Sequence, residues 1–239
     1  MSRILPILFN TDMVQAILDG RKTVTRRLVM PHNRKKAKEQ GYCQGNGLWV
    51  DPGTDNGDKE GHIKDYSISP CWMSYRWYID RYAPYKPEDV LYVRETWAFA
   101  TCINCNREYI RKGAPANCYD YQAVEYDDGD SISEGCFIYR ADCENPERIT
   151  WRPSIHMPKQ AARIWLKVTD VRVERLQDIS LDDCRREGID ISRSGIYTRF
   201  SMLWNSTIKK PDYNLYSWDA NPWVWVIEFE QCGKPESAI

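Results

Sequence analysis

Apolar and polar positions follow two different periods along this chain, and its first thirty residues show both. Ile4 to Phe9 is an apolar run of strand length, after which Met13, Val14, Ile17 and Leu18 recur on one helical face. Thr11 and Asp12 offer an N-cap for that helix, and Gly20 stands where a C′ residue would end it. Lys22 to Met30 alternates and carries β-branched residues, which predicts an extended segment leaving the helix. Val90 to Val93 reads as a buried strand reached through the Pro87-Glu88-Asp89 turn, and Phe137 to Arg140 as another. Ala162 to Val173 predicts a long strand on which Ile164, Leu166, Val168, Val171 and Val173 alternate, with an irregularity near Asp170. Ser180 caps a short helix to Glu187 that stops at Gly188. Tyr197 to Trp204 predicts a further helix with Phe200 and Leu203 inward, and Pro222 precedes a closing strand over Trp223 to Phe229.

Two stretches, about residues 31–86 and 101–135, hold no long period and are rich in Gly, Asp, Asn and Lys, so they read as polar insertions. The order strand, helix, strands, two helices, strand is not the regular alternation of a doubly wound sheet. It predicts an α+β chain, a single domain over residues 1–239 with a small mixed β-barrel decorated by helices.

Composition narrows the partners. With 42% hydrophobic and 28% charged residues the chain has globular character, and no apolar run reaches the length of a membrane span. The net charge of −1 means that contact with a polyanion must come from a local patch. Nine cysteines, an odd number without a secretory leader, argue for reduced thiols and a cytoplasmic location. Ten tryptophans and 15 tyrosines suit core packing or, less often, base stacking.

The segment Gly20-Arg21-Lys22-Thr23-Val24-Thr25-Arg26-Arg27 resembles the G-x-K-x-x-T-x-R pattern of the ASCH domain family, whose fold is similar to the PUA RNA-binding domain. Val93-Arg94-Glu95-Thr96-Trp97, Pro153 to Pro158 and Asn221 to Val226 are similar to the longer ASCH proteins of phages and prophages. The resemblance implies a PUA-like β-barrel with a cleft beside the motif. Its compact members are bacterial amidohydrolases that remove the acetyl group of N(4)-acetylcytidine with a Lys, a Thr and a Glu, positions that Lys22, Thr25 and Glu187 occupy here. It therefore implies a hydrolase acting on an acylated nucleoside and requiring no cofactor. A PUA-like RNA-binding module without catalysis and an RNA-cleaving enzyme are the competing readings, so the partner is a nucleoside or RNA.

The residue chemistry sets conditions on that site. A threonine hydroxyl needs a base, and Lys22, with an ordinary pKa of about 10.4, becomes one near neutrality only if burial and neighbouring Arg21, Arg26 or Arg27 lower it. If it stays charged it stabilises an oxyanion, and Glu187 then activates Thr25 or water. Residues three apart face opposite sides of a regular strand, so Lys22 and Thr25 converge only if the segment bends between them. Arg27, with Arg26, has the planar fork for a phosphate, a substrate carboxylate, Glu187 or Glu95. Glu95 and Trp97 offer a carboxylate and a stacking indole as further substrate-binding residues. A direct role for His156 is disfavoured, because a lone histidine in a loop is more often structural.

Cys102, Cys105, Cys118 and Cys136 supply the thiolate count for a structural zinc in the second insertion, with Cys143 an alternative fourth ligand. Cys43, Cys71, Cys184 and Cys232 read as small packed residues. The basic run over residues 33–38 suits a phosphate backbone, and the acidic run over residues 127–130 has no assigned partner.

Overall fold

The computed structural model describes residues 2–30, 48–51, 62–65, 68, 71–102, 121–123, 136–143, 149–190 and 194–236. The chain divides into two compact units, one formed by residues 1–20, 90–166 and 231–239 and the other by residues 21–89 and 167–230. Helices and strands are mixed, as the α+β expectation required. The strands of the main sheet run in the order β1 (Ile4–Leu8), β6 (Val90–Arg94), β10 (Trp165–Arg175), β11 (Trp223–Cys232), β2 (Val24–Leu28). β1 and β2 are its edges, so this sheet is open and does not close on itself.

In the first unit β1 pairs in parallel with β6, Ile4 opposite Val90 and Leu8 opposite Arg94. Helix α1 (Thr11–Leu18) follows β1 and buries Val14, Ala16 and Ile17. Its N-cap is Asn10, not Thr11 or Asp12: the Asn10 side chain accepts from the Met13 backbone N–H at 2.8 Å, and both later residues are already helical. Gly20 ends α1 as expected, at φ +72° with its N–H donating to the Ile17 carbonyl. β7 (Trp97–Cys102) lies between β8 (Tyr121–Ala123) and β9 (Cys136–Tyr139) in a three-stranded antiparallel sheet, so the second insertion contains strand where no period was legible. Trp97, Phe99, Met157 and Ala161 form a core cluster beneath it.

The second unit contains a second departure from the sequence reading. Within residues 31–86, β3 (Leu48–Asp51), β4 (His62–Asp65) and β5 (Met73–Ser74) form another antiparallel sheet, followed by helix α2 (Tyr75–Tyr82). Ser74 caps α2 by accepting from the Trp77 N–H. Strands this short carry too few residues to display a period of two.

The larger core of this unit is built from Val24 of β2, Val224 and Val226 of β11, Leu176, Ile179, Cys184, Phe200 and Trp204. Val24 and Val226 arrive there because antiparallel pairing sets Thr25 opposite Ile227 and Arg26 opposite Val226. Helix α4 (Ile196–Thr207) buries Phe200 and Trp204, one turn apart, while Leu203 is only half-buried. The expected irregularity in β10 is visible in its burial: Leu166 and Val168 are inside, Thr169 and Asp170 are both exposed, and Val171 and Val173 are inside again. The alternation slips by one residue there, as a bulge requires.

Helix α3 (Leu181–Arg186) carries the next residue of interest at its end. Ser180 caps it by accepting from the Asp183 N–H at 3.0 Å. At the other end Gly188 has φ +90°, its N–H donates to Arg185, and the Ile189 N–H donates to Cys184. This is the Schellman arrangement, with the Ile189 side chain packed on the cluster that includes Cys184. A Cβ at Gly188 is forced into left-handed backbone, which costs roughly 1–2 kcal/mol. Gly188→Ala is therefore expected to lower the unfolding free energy by that amount, read as a lower urea midpoint at unchanged m-value; an unaltered midpoint would contradict the cap.

Candidate functional site

The end of α3 and the segment after Gly20 are joined atom by atom. The Schellman cap satisfies the Cys184 and Arg185 carbonyls internally and leaves those of Arg186, Glu187 and Gly188 to find outside donors. The Thr23 N–H donates to Arg186 at 2.8 Å, the Lys22 ammonium to the Glu187 carbonyl at 2.9 Å, and the Arg21 guanidinium to Gly188 at 3.0 Å. Lys22 and Glu187 also form an isolated antiparallel bridge. The regular strand begins at Val24, and the Thr23 carbonyl continues its pairing with β11 by accepting from the Phe229 N–H at 2.9 Å.

This frame holds a buried ion cluster. Lys22 is 2% exposed and Glu187 4%, and their side chains meet at 2.6 Å between Nζ and Oε2. The Lys22 ammonium also donates to the Val24 carbonyl at 2.9 Å, so Val24 O, Glu187 O and Glu187 Oε2 match the three N–H bonds of an ammonium. The other carboxylate oxygen, Oε1, accepts from Arg26 at 3.3 Å. Arg26, itself buried, donates further to Asp183 at 3.1 Å and Glu174 at 3.4 Å, while its Nε has no partner. Arg26 was expected to bind substrate; its guanidinium is instead spent on three carboxylates of its own unit.

Thr25 stands on β2 between Val24 and Arg26 and is 1% exposed. Its hydroxyl accepts from Arg27 at 2.7 Å, and Arg27 also donates to the Arg26 carbonyl. The contacts thus follow the pleat: Arg26 shares Glu187 with Lys22, and Thr25 is engaged by Arg27. Electrostatics connect the two sets. Burial pushes the Lys22 pKa down, Glu187 works against that shift, and Arg27 and Arg26 add to it. Burial also lowers Arg27, with Glu187 and then Tyr85 opposing. Tyr85, whose phenol is pushed up by burial, is a neighbour of the motif that no sequence pattern announced.

Glu95 and Trp97 belong to the first unit, where they have other tasks. Glu95 is buried and takes a two-pronged hydrogen bond from Arg163, at 2.9 Å to Oε1 and 3.0 Å to Oε2. Arg163 also binds Asp142 and stacks over Tyr139 at 4.0 Å from the ring centroid. Trp97 is buried in the core cluster, under the guanidinium of Arg152 at 5.3 Å. Nothing in sequence spacing marked Arg163 or Asp142 as the partners of Glu95, because their contact is made by tertiary pairing. His156 is exposed in a 3-10 turn over Ser154–His156.

The zinc expectation lies outside the described residues. Cys105 and Cys118 are not described, and of Cys102 and Cys136 only the backbone is. The basic run over residues 33–38 and the acidic run over residues 127–130 lie outside as well. Among the described residues no group of three or more His, Cys, Asp or Glu side chains is placed to hold a metal ion, and no helix is long and apolar enough to cross a membrane. Cys184 is buried in the core, with its thiol pushed up to about 11 chiefly by burial, but Cys71 is exposed.

Breaking a buried pair by removing one partner typically costs about 3–5 kcal/mol. Glu187→Gln deprives both Lys22 and Arg26 of their shared anion, whereas Lys22→Met leaves Glu187 with Arg26. The glutamine variant is therefore expected to lose more stability in urea denaturation at neutral pH. Burial raises the Glu95 pKa, with the Arg163 hydrogen bond and charge opposing and Asp142 adding to the rise. A raised carboxyl gives stability that is present below its ordinary value and lost as pH climbs through the folded value. In Arg163→Met the stability deficit is accordingly expected to widen as pH is taken upward from the acid side; a pH-independent deficit would count against the buried pairing.

Compared with family models, curated proteins and solved structures, the chain matches none.

Proposed function

We infer that the cluster around Lys22 is a hydrolase site acting on the amide of an acylated nucleoside such as N(4)-acetylcytidine, in an ASCH-type protein with a PUA-like fold. The observation that supports this reading best is the buried 2.6 Å pair of Lys22 and Glu187, with a buried threonine three residues on from the lysine. A lysine meets the requirements of a base only when its charged form is penalised, and desolvation supplies that penalty here. The three residue types occur in the G-x-K-x-x-T segment and at the end of a helix, as the resemblance implies.

The reaction follows from these roles. The Lys22–Glu187 pair shares a proton; once Lys22 turns from its carbonyl partners toward Thr25, the neutral amine takes the hydroxyl proton as Oγ attacks the acyl carbon. The C–N bond then breaks, and the exocyclic nitrogen leaves as an amine carrying that proton. Thr25 is left as an ester, and water cleaves it to release the acid and regenerate the hydroxyl. Arg27, which donates to Thr25 Oγ at 2.7 Å, is the cation assigned to stabilise the developing negative charge. The side chains are covered in this state, so turnover requires the surface over Thr25 to open.

Purified full-length protein is expected to release acetate and cytidine from N(4)-acetylcytidine. Thr25→Ala and Lys22→Ala should abolish turnover, by two or more orders of magnitude, in variants that circular dichroism shows to be folded. The rate should rise with pH through an ionisation below the ordinary lysine value, because Lys22 must be deprotonated to act and its pKa is lowered. Folded wild-type protein that leaves a panel of acylated nucleosides intact would refute the assignment.

A further inference from the structure

Residues 62–82 place two large indoles on the surface with a cation at each. Trp72 is 49% exposed and Trp77 46%, whereas the other tryptophans whose side chains are described are buried or half-buried. The Lys64 ammonium lies 5.9 Å from the Trp72 ring centroid, and the Arg81 guanidinium 5.7 Å from that of Trp77. Arg76 and Asp80 are exposed on the same helix as Trp77, so among the described side chains of residues 62–82 Lys64, Arg76 and Arg81 stand with one exposed carboxylate.

The opposite side of this module is firmly anchored. On β4 the buried Ile63 and Asp65 alternate with the half-exposed His62 and Lys64. Asp65 accepts from the hydroxyl of Tyr78 at 3.0 Å, and the Tyr78 ring stacks on Trp225 at 6.1 Å and 11°. Tyr78 therefore fixes the inner face of α2, and Trp77 and Arg81, one turn apart, stand on another. A cation near 6 Å from an exposed ring is worth only about 0.5–1 kcal/mol, too little to account for holding two indoles in water. Neither indole serves the described core, and each leaves ring surface open for a ligand.

We propose that Trp72 and Trp77, with Lys64, Arg76 and Arg81, form a sequence-tolerant stacking platform for single-stranded nucleic acid. Bases stack on the indoles, and the three cations meet the phosphates between them. The pairing of ring and cation at each position favours this ligand over an apolar protein surface, which has no use for the charges. A two-fold contact with a second copy of the chain sets these cations against their own equivalents, which repel. RNA and DNA present the same stacking faces and phosphates, so the platform takes either. The proposal does not rest on the hydrolase reading.

The test is fluorescence anisotropy of dye-labelled oligo-U and oligo-dT, about twelve nucleotides long, titrated with the full-length chain. Trp72→Ala and Trp77→Ala are each expected to weaken binding about five- to a hundred-fold, the range set by loss of one stacked base. Three phosphate contacts imply a roughly twenty-fold loss between about 50 and 200 mM salt. Both indoles are exposed, so the urea midpoints of these variants should equal that of wild type. No binding by folded protein at low salt, or wild-type affinity in the double variant, would overturn the proposal. Equal competition by inorganic polyphosphate would overturn it by showing attraction of charge alone, and equal binding of an acidic peptide would point to a protein ligand. Self-association that disappears in Trp77→Ala would likewise replace it with a homotypic contact. Binding of both oligo-U and oligo-dT supports the platform, and a preference between them shows that the 2′-hydroxyl or the thymine methyl also contributes.

Discussion

A charged nitrogen cannot be taken out of water without a partner, and the burial of Lys22 imposes that condition on a whole neighbourhood. Its ammonium uses the carboxylate and the carbonyl of Glu187 and the carbonyl of Val24. Glu187 in turn needs Arg26 for its second oxygen, and Arg26 needs Asp183 and Glu174. Each added charge is admitted because the preceding one would otherwise be unpaired at a cost of several kcal/mol. The consequence is structural before it is chemical: β2, the end of α3 and the outer part of β10 are held in one arrangement.

Two glycines make that arrangement reachable. Gly20 turns the chain out of α1 two residues before Lys22, and Gly188 turns it out of α3 one residue after Glu187, both at positive φ. The Schellman cap consumes the carbonyls that would otherwise compete for the Lys22 ammonium and leaves Glu187 O aimed at it. A helix end thereby presents both a backbone and a side-chain acceptor to one amine. The same geometry that stabilises the cation positions the carboxylate for proton exchange with it, so structural need and the catalytic use we propose are compatible in one pair.

Much of this was legible along the chain, and the reasons are local. Capping glycines announce themselves because only glycine tolerates the left-handed region cheaply, and Gly20 and Gly188 were each read correctly. The β10 irregularity was legible because the apolar positions themselves change parity between Val168 and Val171. What escaped were features fixed by partners distant in sequence or by strands too short to show a period. Asn10 displaced Thr11 and Asp12 as the cap because a residue's role there depends on where the first helical turn closes. β4 and α2 were hidden in a polar stretch because, among their described side chains, only Ile63, Asp65 and Tyr78 are fully buried.

Arginine and tryptophan show most plainly where sequence reading stops. Arg26 and Arg81 are the same chemical group, yet one is enclosed by three carboxylates and the other lies over an exposed ring. Trp97 and Trp77 differ in the same way, one packed beneath β9 and one facing solvent. The sequence points to Arg26, in the motif segment, and to Trp97, after β6, as ligand-binding groups, but burial commits both to the protein itself. A side chain remains available to a ligand when its own fold has not already used its face or its fork, and in the second unit that criterion selects the indoles of residues 72 and 77 over the guanidinium of residue 26.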